Sequence, residues 1–116
     1  MATSARNKML SLLILTLVML GMKNVEATWC VARSDASYSA LSAGLNYACS
    51  HGANCRPIQP GGSCFNPNTI QNHASYAFDS YYQRMRKAPG SCNFGGAATI
   101  AVTDPSFGSC VYPPYS

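Results

Sequence analysis

All six cysteines of this 116-residue chain (Cys30, Cys49, Cys55, Cys64, Cys92 and Cys110) lie beyond residue 29. An even number of cysteines packed into so short a stretch reads as three disulfides. A domain of this size buries too little apolar surface to be comfortably stable, and secreted domains commonly make up the deficit with cross-links. The spacing alone leaves the pairing open. A metal site built from Cys49, His51 and Cys55 is the rival reading, but it lacks the short paired-cysteine spacing of structural zinc sites. Neither a metal nor a cofactor is therefore expected.

The stretch without cysteines has its own meaning. Arg6 and Lys8 precede an uncharged run, Met9 to Met22. A membrane-spanning helix needs about 20 apolar residues, so this run is short for a span and suits the apolar part of a signal peptide. Val25-Glu26-Ala27 offers a cleavage site. The expectation is a signal peptide over residues 1–27 and one secreted, extracellular domain over residues 28–116, with no membrane span. Without a hydrophobic C-terminal tail, no lipid anchor is expected.

Beyond residue 27, Arg33, Arg56, Arg84, Arg86 and Lys87 stand against Asp35, Asp79 and Asp104. Nucleic-acid binders concentrate far more positive charge, so no nucleic-acid partner is expected. A membrane-active defence peptide would need more as well. Tyrosine, asparagine, serine and glycine are abundant instead and suit a neutral, hydroxyl-rich partner.

Local patterning predicts an α+β domain of two packed helices and a small antiparallel sheet. Ser34 or Asp35 can cap a first helix, in which Tyr38, Leu41, Leu45 and Ala48 recur at helical spacing, with Gly52 as its stop. Residues 51–63 hold two prolines and three glycines and read as loop. Asn66-Pro67 suits the start of a second helix running to about Lys87, with Ile70, Ala74, Ala77, Phe78, Tyr81 and Met85 on its apolar face. Residues 97–102 and 107–112 then read as a hairpin around the turn Thr103–Ser106.

Catalytic groups are scarce. Glycoside hydrolysis usually takes two facing carboxyls, and the predicted mature chain has no glutamate. Asp35 reads as a cap, Asp104 as a turn residue, and Asp79 has no predicted carboxylate neighbour. A small ribonuclease built on His51, His73 and Lys87 is a second possibility, though His73 suits a bond to a backbone carbonyl equally well.

The aromatic residues say more. On a helical wheel Asn72, Tyr76, Asp79 and Gln83 fall opposite the apolar stripe of the second helix. An exposed Tyr76 between amides would offer a sugar a flat ring and hydrogen-bond partners. Asn72 and Gln83 are the expected helpers. Tyr112 is a second platform, on the same side of its strand as Cys110. Tyr82, Phe94 and Phe107 come next should that face be covered. Trp29, beside Cys30, is expected in the core.

The segments Trp29–Ala32, Leu45–Cys49, Cys55–Thr69, His73–Phe78, Tyr81–Gln83, Cys92–Phe94 and Asp104–Cys110 closely resemble the plant X8 domain, carbohydrate-binding module family 43. The resemblance spans nearly all of residues 28–116 and includes every cysteine. It implies non-catalytic binding of β-1,3-glucan, the callose of plant cell walls, and a location in the cell wall or apoplast. It also implies the disulfides Cys30–Cys92, Cys49–Cys55 and Cys64–Cys110. Such modules occur appended to β-1,3-glucanases, as lipid-anchored wall proteins at plasmodesmata, and alone, the form this chain most resembles. A glucan endo-1,3-β-glucosidase, or an accessory module of one, is the alternative function.

Overall fold

A computed structural model describes residues 27–114, so the expected signal peptide falls outside the described residues except for Ala27. The elements run β1 (Trp29–Ala32), α1 (Tyr38–Ser50), α2 (Ile70–Arg84) and β2 (Ala98–Ala101), with single 3-10 turns at Arg56–Ile58 and Phe94–Gly96. This is the expected α+β class. No helix among the described residues is long and apolar enough to cross a membrane.

The two helices begin later than the sequence suggests. α1 is capped by Ser37, whose hydroxyl accepts from the Ala40 N–H at 3.1 Å. Asp35 instead pairs with Arg33 at 3.0 Å on the surface. α2 is capped by Thr69, whose hydroxyl accepts from the Asn72 N–H. The Asn66-Pro67 segment lies outside the helix because Asn72 donates to the carbonyls of Cys64 and Pro67, folding that loop over the first turn. At its far end α2 stops at Arg84. Arg86 and Lys87 adopt left-handed φ of 53° and 58° and turn the chain away, a common helix ending.

α2 is the spine of the domain. One side packs against α1 and the other against β1, which leaves the helix buried almost all round. Ala74, Ala77 and Phe78 are fully buried, and Leu41 and Ala48 of α1 join them in the core. The side toward β1 is polar. Gln71, Ser75, Asp79 and Gln83 recur every fourth residue and bond in turn to the strand's backbone. Gln83 donates to the Thr28 carbonyl at 2.8 Å and Asp79 accepts from the Cys30 N–H at 3.0 Å. Ser75 accepts from the Ala32 N–H at 3.0 Å and Gln71 donates to the Ala32 carbonyl at 3.1 Å. Four helical residues rise about 6 Å and two strand residues about 6.6 Å. The rungs at Gln83, Asp79 and Ser75 therefore keep step with Thr28, Cys30 and Ala32, while Gln71 shares Ala32 with Ser75.

The opposite edge of β1 pairs antiparallel with β2, Trp29 facing Ala101 and Ala32 facing Ala98. The expected hairpin between residues 97–102 and 107–112 does not form. Phe107 and Cys110 bond to each other in a tight turn. Pro113 and Pro114 just beyond cannot donate to a ladder. Trp29 is buried, as expected.

The disulfides join Cys30 to Cys92, Cys49 to Cys55 and Cys64 to Cys110. The first ties β1 to the turn before β2, the second closes the end of α1, and the third fastens the C-terminal segment beside the start of α2.

Candidate functional site

The expected sugar platform is inside the protein. Tyr76 is 6% exposed and Tyr112 3%. The cross-link Cys64–Cys110 does bring them together, with ring centroids 5.4 Å apart in an edge-to-face pair. They face each other, however, rather than solvent. Burial raises the pKa of both hydroxyls, that of Tyr112 to about 12. Gln83 is also buried, bonded to Thr28 and to Asp79. Asn72 is half-buried and holds the loop at Cys64 and Pro67. The helical wheel sorted this face correctly as polar but had no information that β1 and the C-terminal segment would cover it.

A different aromatic cluster is open. Ala40, Ala43, Gly44 and Tyr47 recur along α1 at the i, i+3, i+4, i+7 spacing of one helical flank, three small residues followed by a large ring. Tyr81 of α2 rises across from them and Phe94 forms the far wall. These residues, with Gly90, Ser91 and Gly95, line a groove of about 510 Å³, within the range of small-molecule sites. Tyr47 is 47% exposed. Its ring lies 5.9 Å from that of Tyr81 and 6.3 Å from that of Phe94, both edge-on.

The local chain is shaped to present these rings. Phe94 sits at φ 52°, a left-handed conformation costly for a side chain of this size, and Gly95 follows at φ 66°. The Asn93 side chain steadies the turn by accepting from the Gly96 N–H at 2.8 Å, and neighbouring Cys92 is fixed to Cys30. Phe94 then stacks on buried Phe78, centroids 4.1 Å apart and planes within 11°. Gly44 makes room for that stack, since a Cβ there would lie 2.7 Å from the Phe78 ring. On the outer side His51 stacks on Tyr47 at 3.8 Å.

Electrically the groove is neutral. No charged side chain lines it. The Tyr47 phenol raises the pKa of neighbouring Tyr81. Flat rings with phenolic hydroxyls suit a ligand with an apolar face and a hydroxyl rim. Sequence reasoning passed over Tyr47 and counted Tyr81 as core. The signal was the row of small residues leading to Tyr47.

The three carboxylate side chains among the described residues are engaged elsewhere. Asp35 faces Arg33, Asp104 accepts from the Ser106 N–H at 2.9 Å, and Asp79 is fully buried under β1. None lines the groove. His73 bonds through Nε2 to the Phe65 carbonyl at 2.7 Å, and His51 bonds through Nδ1 to the Tyr47 carbonyl at 2.8 Å. Both serve as backbone ties.

The X8 domain family matches residues 28–99. The chain is 46% identical over 104 residues to plasmodesmata callose-binding protein 2 of Arabidopsis thaliana, a match covering 90% of this chain and 53% of that protein. It is 51% identical over 87 residues to glucan endo-1,3-beta-glucosidase 1 of the same plant, covering 74% of this chain but 17% of the enzyme. A glucan endo-1,3-beta-D-glucosidase of Olea europaea is 44% identical over 86 residues, 19% of its length. The chain thus spans about half of its callose-binding relative and under a fifth of these glucosidases.

Proposed function

The chain belongs to the X8 domain family, and from that premise we propose that it binds β-1,3-glucan without cleaving it. The observation that carries the proposal is the uncharged groove walled by Tyr47, Tyr81 and Phe94. A pyranose ring laid against Tyr47 or Phe94 buries its C–H face, while the Tyr47 and Tyr81 hydroxyls meet its rim. The relatives named for callose binding support the ligand class, and the glucosidase relatives match this chain over only a minor part of their length. Hydrolysis would need a carboxyl pair across the scissile bond, and the three carboxylates among the described residues are each occupied apart from the groove. In this reading Tyr76, Tyr112, Asn72 and Gln83 act on the sugar only indirectly, by holding α2 in place.

The disulfides fit an oxidising compartment. We place the protein outside the cell, in the wall where callose lies, after removal of residues 1–27.

Incubation with laminarin tests the reading. The wild-type protein is expected to bind and to release no reducing ends. Stacking on one ring contributes about 1 kcal/mol, so Tyr47→Ala should weaken binding about fivefold and leave the melting temperature nearly unchanged. Binding equal to wild type in Tyr47→Ala would overturn the site, and steady release of reducing sugar would overturn the non-catalytic role.

A further inference from the structure

A second groove, of about 390 Å³, lies beside α1 away from the aromatic one. Leu45, Asn46 and Cys49 face it from α1. Residues Ala40, Ala43, Gly44 and Tyr47 face the aromatic groove. At roughly 100° per residue these two sets occupy opposite flanks of the helix. The disulfide Cys49–Cys55 fixes the second groove's wall, and Phe65 and His73 form its inner end, their rings 5.3 Å apart.

The lining differs in kind from the first groove. Asn46, Gln59 and Asn68 bring three amides to it and no charged side chain lines it. Asn46 and Asn68 are exposed, and neither side-chain amide has a protein partner among the described residues. The His73 Nε2 donates to the Phe65 carbonyl, which fixes its ring at the groove's inner end. Free donors and acceptors beside an apolar ring, without charge, match a neutral polyol. We propose that this amide-lined groove is a second saccharide site, so that the domain holds two glucan segments on opposite flanks of α1. The proposal rests on the glucan-binding reading and extends it from one site to two, one working by stacking and the other by hydrogen bonding.

Titrating the nitrogen-15-labelled, disulfide-intact protein with laminarihexaose tests it by NMR. The side-chain amide signals of Asn46 and Asn68 are expected to move with their own saturation curve, alongside the backbone signals of Tyr81 and Phe94. In Tyr47→Ala the Asn46 and Asn68 shifts should persist while those of Tyr81 and Phe94 weaken. The double variant N46A/N68A, altered only at exposed side chains, should show the reverse, and should fail to cross-link long laminarin chains into the turbid aggregates that wild type is expected to form. Movement at Tyr81 and Phe94 with Asn46 and Asn68 still overturns the second site and leaves the first intact. Loss of both sets of shifts in Tyr47→Ala reduces the two grooves to one site. Stillness everywhere overturns the glucan reading itself.

Discussion

Helix α2 holds its two neighbours by different physics. Toward α1 it presents Ala74, Ala77 and Phe78, fully buried and apolar, and the contact is van der Waals packing. Toward β1 it presents Gln71, Ser75, Asp79 and Gln83, and the contact is a row of hydrogen bonds to backbone. A helix partner has its own backbone groups satisfied and asks only for shape. A two-stranded sheet leaves the outer edge of β1 unpaired, and a buried strand edge needs polar groups. The polar stripe does for β1 what a third strand would otherwise do.

The largest effect should come from the apolar side. Phe78→Ala removes a ring with no exposure that also seats Phe94. It should cost about 3–5 kcal/mol, read as a fall in melting temperature of about 12 °C or more, and should weaken laminarin binding along with it. A loss under about 1 kcal/mol would mean that the polar side alone holds the helix.

The polar side should reveal itself through pH. Burial raises the Asp79 pKa from 3.8 to about 6, against the Cys30 and Gln83 bonds and the Lys87 charge, which lower it. A carboxyl that holds its proton more tightly when folded adds stability that is complete below pH 3.8 and lost as the pH climbs through about 6. The span is about 3 kcal/mol at most. Asp79→Asn keeps an acceptor for the Cys30 N–H and removes the titration, so its melting temperature should be flat across this window. A wild-type profile that is already flat would place the Asp79 charge in contact with water.

Gly44→Ala asks how tightly the apolar side is fitted. The added methyl meets the Phe78 ring, and overpacking of this kind costs about 1–3 kcal/mol. No change would show that the Phe78–Phe94 stack can shift freely. Smallest of all, Gln71→Ala at the half-exposed end of the ladder should cost about 1 kcal/mol. A larger loss would mean that the four bonds act as a unit.

This contrast also decides what could be read from the sequence. Both helices were legible because Leu41, Ala48, Ala74, Ala77 and Phe78 follow helical spacing, and the turn at Asp104 because an aspartate before a proline makes one. The sequence reading also put Asp79 and Gln83 on one polar face of α2, but with Asn72 and Tyr76 in place of Gln71 and Ser75, and took that face as solvent-facing. A wheel records which residues share a side, and the needs of a strand more than forty residues away do not appear on it. Strand pairing is long-range in the same way. The pattern at residues 97–102 marked a strand, while its partner, Trp29–Ala32, lies far back in the chain. For the site, Phe94 stood only among the fallback aromatics, and Tyr81 looked like core because it does border it. The disulfide pairing was accessible only through the family resemblance, since spacing does not choose among pairings.

The tie between Cys30 and Cys92 has a mechanical side. In the proposed binding mode, a polymer pulling on Phe94 would pull, two residues away, on a covalent link into β1. That strand is gripped along its length by four side chains of α2 on one edge and by β2 on the other. Load entering through Cys30 therefore reaches a strand held on both of its edges. On the proposed reading the domain would act as an anchor, with a covalent connection leading back from the wall of the aromatic groove.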